Sequence, residues 1–82
     1  MEKRKHTLVE NADEKRYEFD LGDDIAIIEY IKTQGFIILT HTEVPEKYEG
    51  QGIGAELVHD VLEDLRAKKI QMIPQCPFVA QY

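Results

Sequence analysis

The stretch EGQGIGAELVHDVL, residues 49–62, places three of the five glycines of the chain within five positions. A helical pattern follows at once, because apolar residues recur every three or four positions from residue 53 to residue 65. Glycine lets the backbone bend sharply and lets a ligand approach without meeting a Cβ atom. The free N–H groups and the dipole at a helix N-terminus both favour a negative ligand. The stretch therefore predicts a helix that begins at a loop able to hold an anion.

The alternating glycines alone do not identify a ligand for this loop. A Walker A loop requires Gly-x-x-x-x-Gly-Lys-Ser/Thr, and no such lysine is present here. A Rossmann fingerprint requires Gly-x-Gly-x-x-Gly within a mainly parallel unit, whereas strands joined by short turns precede this loop. The pattern leaves two interpretations open, an anion site and a tight turn whose glycines only allow close packing.

Four segments before the loop have the composition of β-strands. They are residues 7–10, residues 17–21 with apolar residues at every second position, and the runs rich in β-branched residues at 25–31 and 36–42. Short turns join these segments, so an antiparallel meander is expected. Pro45 ends the fourth strand because proline cannot donate a hydrogen bond to a sheet.

The long helix is predicted over residues 51–67. Its apolar face is predicted to consist of Ile53, Leu57, Val58, Val61, Leu62 and Leu65, with Asp60 and Asp64 facing solvent. A fifth strand at 70–73 comes after the helix, so it is expected to pair in parallel with the fourth strand. Pro77 is expected to open a short C-terminal helix. The pattern predicts an α+β fold in one domain over residues 1–82.

Composition and charge exclude several classes of function. The net charge of −6 and the absence of a basic stripe argue against nucleic-acid binding. No apolar run approaches the roughly 20 residues that cross a bilayer, and the N-terminus lacks the apolar region of a secretory signal. A lone cysteine, Cys76, cannot form an internal disulfide, which favours the cytoplasm. No cluster of potential ligands has the spacing of a metal site.

Two motifs together resemble the GNAT N-acetyltransferase superfamily. The stretch THTEVPEKYEGQGIGAELV, residues 40–58, is similar to motif A, which reads Arg/Gln-x-x-Gly-x-Gly/Ala at the start of the long helix. The ending KIQMIPQCPFVAQY, residues 69–82, is similar to the Pro-x-Cys-x-Phe/Tyr-Val signature of short single-domain GNAT-like proteins. Glu49 departs from motif A, because it stands where the superfamily has Arg or Gln.

The resemblance implies a binding site for acetyl-CoA. The pyrophosphate would be held by the backbone N–H groups of Gln51, Gly52, Ile53, Gly54 and Ala55. The pantetheine arm would pair with the backbone of Thr42, Glu43 and Val44. A carboxylate at Glu49 would repel the pyrophosphate unless its side chain points to solvent.

The resemblance also implies transfer of an acetyl group to a primary amine. Cys76 is expected near the thioester, where it could accept the acetyl group, act as a general acid or be only structural. His41 and Glu43 share one face of the predicted strand, and either could act as the general base. The acidic surface favours a cationic acceptor such as a polyamine or a lysine side chain.

Two other functions remain open from the sequence. One is a non-catalytic domain of the same fold that binds acetyl-CoA or coenzyme A, or serves as an adaptor. The other is an interaction module in which the glycines merely pack. The sequence does not name the acceptor, and it favours a monomer only slightly.

Overall fold

The computed structural model describes residues 6–75 and residue 79. The strands are β1 (Leu8–Asn11), β2 (Arg16–Asp20), β3 (Ile25–Lys32), β4 (Phe36–Glu43) and β5 (Gln71–Pro74). A single 3-10 turn at Glu46–Tyr48 and one long helix, α1 (Ile53–Ala67), connect β4 to β5. The predicted α+β class and the predicted order of these elements are confirmed. Of the predicted C-terminal helix only Val79 is among the described residues, and it is helical; the rest of this prediction lies outside them.

The five strands form one mixed sheet in sequence order. The first four strands pair antiparallel, and β5 pairs parallel to β4, as the meander and the intervening helix predict. The β4–β5 pairing runs only from Phe36 opposite Gln71 to Leu39 opposite Pro74. β4 continues to Glu43, so its residues after Leu39 extend beyond the end of β5. This gap lies next to the start of α1.

The helix packs on one face of the sheet and forms the core with it. The buried apolar cluster consists of Tyr17, Phe19, Ala26, Ile28, Tyr30, Ile37, Leu39, Ile53, Leu57, Val58, Val61, Leu65 and Val79. Burial of each large aliphatic or aromatic side chain contributes about 1.5–3 kcal/mol. The predicted apolar face of the helix is therefore buried, except that Leu62 is only partly covered. This packing fixes the position of the N-terminus of α1 relative to β4.

Asp60 and Asp64, which were expected to face solvent, are buried and partly buried, and His6 is also partly buried. Asp60 is only 7% exposed. Asp64 accepts a hydrogen bond of 2.8 Å from the hydroxyl of Tyr17, because the polar tip of a buried tyrosine needs a partner. His6 packs against Phe19, with 5.4 Å between the ring centroids. Helical periodicity and local sequence do not reveal these contacts, since each depends on a neighbour in space.

A β-bulge at Thr40 changes which side chains of β4 face the helix. Across β3, Glu29 lies opposite His41 and Tyr30 lies opposite Leu39, so Thr40 is the extra residue. One extra residue inverts the alternation that follows it. Thr42, opposite the buried Ile28, therefore shares the helix-covered face with Leu39, whereas His41 is on the open face.

Candidate active site

A cleft of about 460 Å³ lies between the end of β4 and the start of α1. Its walls are formed by Thr42, Val44, Tyr48, Glu49, Gly50, Gly52, Ile53, Gly54 and Ala55. These residues belong to one continuous segment, which leaves β4, makes the 3-10 turn and enters the helix through the glycine loop. The cleft therefore lies beside the gap where β4 extends past β5.

The start of α1 offers backbone donors to the cleft. Gly52 is the N-cap residue, with a left-handed φ of 79°, and as a glycine it has no side chain to cap the helix. The first N–H groups of any α-helix lack a partner within the helix. The residues that carry them, Ile53 to Ala55, line the cleft. The positive end of the helix dipole points the same way, so the site suits an anion.

Gly50 and Gly52 adopt conformations that disfavour side chains. Their φ angles are 83° and 79°, in the left-handed region. A Cβ atom added at either glycine would meet no other atom within 4 Å. The backbone conformation requires glycine here, whereas close packing within the protein does not. Open space also lies beside the turn glycines Gly22 and Gly35, so it leaves room for a ligand at Gly50 and Gly52 without identifying one.

Most of the residues predicted to bind the cofactor lie together. Thr42, Val44, Gly52, Ile53, Gly54 and Ala55 all line the cleft. The side chains of Glu43 and Gln51 do not. Glu43 is on the opposite face of the strand, and Gln51 is exposed, with its amide donating to the carbonyl of Lys47 at 3.5 Å. Glu43 and Gln51 were predicted to bind through their backbone groups and not through their side chains. Their backbones belong to the segment that forms the cleft.

His41 and Glu43 form a pair on the open face of the sheet. The Nε2 atom of His41 lies 3.5 Å from Oε1 of Glu43, and both side chains are more than half exposed. Thr42, between them in sequence, points into the cleft. A base supplied by this pair would have to act at the end of β4 and not inside the cleft.

A smaller pocket of about 290 Å³ lies on the open face beside the same strand. It is lined by Arg16, Asp24, Ile25, Ile27, Glu43 and Pro45. The guanidinium of Arg16 is paired with Glu18 at 2.8 Å. Asp24 and Glu43 thus provide two carboxylates next to a cation that is already paired. The end of β4 separates this pocket from the cleft.

Among residues 6–75 and residue 79, side chains around the cleft supply little positive charge. The ammonium of Lys47 is paired with Asp23, and Glu49 lines the cleft. Hydrogen bonds from Lys47 and Tyr48 lower the pKa of Asp23 to about 2, so this pair is charged at neutral pH. Within this part of the chain, the groups that favour an anion in the cleft are the backbone N–H groups and the helix dipole.

Tyr48 is a cleft residue outside those predicted from the sequence. Its hydroxyl lies 2.6 Å from a carboxylate oxygen of Asp23 and 3.1 Å from the carbonyl oxygen of Leu21, and the single hydroxyl proton is donated chiefly to the nearer carboxylate. The one available signal was an aromatic residue in an otherwise polar loop. Its role depends on the β2–β3 turn, about 25 positions away in sequence, which no local pattern reports.

Other sequence predictions concern metals, membranes and the C-terminus. Within residues 6–75 and residue 79, no three His, Cys, Asp or Glu side chains are grouped to hold a metal ion. The helix in this part of the chain also lacks the length and apolar character needed to span a membrane. Cys76 lies outside the described residues, so its predicted position beside the thioester stays a prediction.

Comparison with models of protein families finds a match over most of the chain. Residues 16–82 match a family described as GCN5-related N-acetyl-transferase. The matched region runs from β2 through the cleft and α1 to the end of the chain, so it includes Cys76. A search of curated proteins finds no match.

Proposed function

The chain belongs to the GCN5-related N-acetyltransferase family, and on that premise we propose that it transfers the acetyl group of acetyl-CoA to a primary amine. The observation that carries the proposal is the cleft at the N-terminus of α1, beside the end of β4 that continues past its pairing with β5. It combines donors for an anion with the backbone of an extended strand. Coenzyme A needs both, because it carries a pyrophosphate and a chain of amides.

The pyrophosphate would be bound by the N–H groups of Gln51 to Ala55. The conformations of Gly50 and Gly52 leave space for its oxygens. The pantetheine arm would run along Thr42 to Val44, where β4 has passed the end of β5 at Pro74. Its amides would form the hydrogen bonds that a neighbouring strand would otherwise supply.

The proposed reaction is direct attack of the amine on the thioester. The nitrogen of the neutral amine forms a bond to the acetyl carbon, and the carbon–sulfur bond breaks. The amine loses a proton, and the coenzyme A sulfur leaves as a thiolate or takes up a proton. Backbone N–H groups at the end of β4 would stabilise the negative charge that develops on the carbonyl oxygen.

His41 and Glu43 are the candidates for the base. A base must accept the proton of the incoming amine directly or through one water molecule. The 3.5 Å contact between them would let Glu43 stabilise His41 once it is protonated. Both lie on the open face, so we propose that the amine approaches the thioester from that side of the sheet.

The acceptor is proposed to be cationic. Asp24 and Glu43 line the pocket on the open face, and the chain carries a net charge of −6. A polyamine would place its second ammonium group near these carboxylates. A lysine side chain in a basic peptide would place the charges of neighbouring residues there. The lone Cys76 suits a reducing compartment, so the cytoplasm remains the proposed location. A monomer remains slightly favoured.

A non-catalytic domain that binds acetyl-CoA is the second candidate. Glu49 lines the cleft and would repel a pyrophosphate, which favours weaker binding than the family motif provides. Both candidate bases are also outside the cleft. Such a domain would bind acetyl-CoA and release it unchanged.

Transfer is tested by supplying acetyl-CoA with a panel of amines that includes polyamines and a lysine peptide. Release of free coenzyme A thiol, with a mass gain of about 42 Da on one amine, is the expected result. The Glu43→Gln variant should transfer more slowly, whereas the Glu46→Gln variant should not, because Glu46 lines neither pocket. Binding without transfer to any amine would favour the non-catalytic candidate. Absence of binding would contradict both.

Cys76 is tested separately because three roles are open. Acetyl-CoA without an acceptor should add about 42 Da to the protein if the thiol accepts the acetyl group, and Cys76→Ser should remove this adduct. A slower rate in Cys76→Ala without any adduct would indicate a general acid. A rate equal to that of the wild type would show that Cys76 is not catalytic.

A further inference from the structure

The β2–β3 turn holds the 3-10 turn that borders the cleft. One carboxylate oxygen of Asp23 accepts a hydrogen bond of 2.6 Å from the hydroxyl of Tyr48. The other accepts a hydrogen bond from the ammonium of Lys47. The carbonyl oxygen of Leu21 lies 3.1 Å from the same hydroxyl and shares its proton with Asp23. Two adjacent residues of the 3-10 turn are thus bound to a single carboxylate from a distant hairpin.

These polar contacts matter because the 3-10 turn is only weakly buried. None of its three residues is fully buried, although Tyr48 is partly buried and packs against the core. Its internal bonds are those from the N–H of Tyr48 to Pro45 and from the N–H of Glu49 to Glu46, at 2.9 and 3.1 Å. The packing of Tyr48 and the contacts of Asp23 with Tyr48 and Lys47 both join the turn to neighbouring elements.

The ring of Tyr48 links this anchor to the cleft. The hydroxyl end is fixed by Asp23 and Leu21, and the side chain lines the cleft together with Val44 and Gly52. The ammonium of Lys47 lies 5.7 Å from the centroid of the same ring. A side chain held at its polar end and in contact with the cleft has little freedom to leave it.

We propose that Asp23 is a positioning residue, which holds Tyr48 as a wall of the acetyl-CoA cleft before the ligand arrives. The proposal rests on the proposed function for the identity of the ligand. Asp23 does not line the cleft and acts only through Tyr48 and Lys47. A loop that is ordered in advance loses less conformational entropy when the ligand binds, so affinity is higher.

The first test needs no ligand and observes the hydroxyl of Tyr48. The hydrogen bond to Asp23 raises the pKa of Tyr48, because it stabilises the neutral phenol beside an anion. Titration of ¹³Cζ-labelled tyrosines by NMR, with Tyr48→Phe to assign the signal, measures this pKa. In Asp23→Asn it should fall toward the ordinary value of 10.0. In Asp13→Asn, a matched change in the preceding exposed turn, it should not move.

An unchanged Tyr48 titration in Asp23→Asn would overturn the proposal. The second test measures affinity for coenzyme A by titration calorimetry. Asp23→Ala and Tyr48→Phe should each weaken binding by about threefold to tenfold, and the double variant should bind no more weakly than the weaker single variant. Losses that multiply in the double variant would show that Asp23 does not act through Tyr48, and would also overturn the proposal.

Kinetics separates positioning from a general loss of structure. Asp23→Ala should raise KM for acetyl-CoA without changing kcat, because it affects a wall of the cleft and not the reacting atoms. A fall in kcat with unchanged KM would contradict positioning. If the wild-type protein binds no coenzyme A, the proposed function fails, and the titration of Tyr48 alone decides whether Asp23 holds the turn.

Discussion

Thr40 and Glu29 are joined across the bulge between β3 and β4. The hydroxyl of Thr40 donates to the carbonyl oxygen of Glu29 at 3.3 Å. This bond satisfies a carbonyl at the point where the regular pairing of the two strands is interrupted. Because the bulge directs Thr42 toward the cleft and His41 toward the open face, the contact helps to fix both sides of the candidate site.

Thr40→Val should weaken ligand binding more than its effect on stability suggests. Valine has nearly the same shape but cannot donate, so the unfolding free energy should fall by about 1 kcal/mol. Thr33→Val is a matched control, since Thr33 donates to the carbonyl of Phe36 at 3.1 Å in the β3–β4 turn, away from the cleft. Both variants should lose similar stability, and only Thr40→Val should lose affinity for coenzyme A. Equal affinities in the two variants would contradict this role of the bulge.

Gly52→Ala should reduce both stability and binding. Alanine at a φ of 79° is strained, so the unfolding free energy should fall by about 1–2 kcal/mol. Gly35→Ala introduces the same strain, at a φ of 98°, in a turn distant from the cleft. Thermal unfolding should show comparable losses in the two variants. Calorimetry should show weaker binding of coenzyme A only in Gly52→Ala, and a loss of affinity in both would point to an indirect effect.

Glu49→Arg should strengthen binding of coenzyme A. It replaces a carboxylate that lines the cleft with a cation, at an exposed position where such a change is worth about twofold to fivefold in affinity. Glu46→Arg changes the net charge equally but lies outside the cleft wall. The gain in Glu49→Arg should exceed that in Glu46→Arg and should shrink as salt is added. Equal gains would mean that only the overall charge matters.

Glu10→Gln should reduce stability at neutral pH but not in acid. Glu10 accepts a hydrogen bond of 2.5 Å from Tyr30 and one of 3.1 Å from Lys32. The bond from Tyr30, opposed by partial burial and assisted by Lys32, holds the pKa of Glu10 below its ordinary value of 4.5. A carboxylate with a lowered folded pKa stabilises the protein above its unfolded pKa, and this contribution is lost as the pH falls through the folded pKa.

The unfolding free energy of Glu10→Gln should therefore be about 1–2 kcal/mol below that of the wild type at pH 7. The difference should shrink as the pH falls from about 5 to about 3. Urea unfolding at a series of pH values measures it, with Glu14→Gln as an exposed control. A difference that does not depend on pH would show that packing, and not the charge of Glu10, is responsible.

Periodicity was sufficient to predict the fold, but contacts between distant elements were not predictable. Alternation along β2 and the helical repeat from Ile53 to Leu65 report which side chains are buried, because burial follows local geometry. Glycines before a helix likewise indicate the loop. The bulge at Thr40 is different, since a single extra residue leaves no mark on the composition of a strand.

The same limit applies to the candidate site. The cleft residues that follow from motif A were predicted, whereas Tyr48 was not, because its orientation depends on Asp23 in another hairpin. Asp64 was expected in solvent for a similar reason, since its partner Tyr17 is 47 positions away. Contacts between residues this far apart in the sequence can be identified only from the tertiary structure.

The most direct test of the account is to locate acetyl-CoA on the protein in solution. Addition of acetyl-CoA to ¹⁵N-labelled protein should shift the backbone amide signals of Gln51 to Ala55 and of Thr42 to Val44, with smaller changes elsewhere. These amides are the proposed partners of the pyrophosphate and the pantetheine arm. Saturable shifts confined to these two segments would support the account. Unchanged spectra at millimolar acetyl-CoA, or shifts centred away from the cleft, would contradict it.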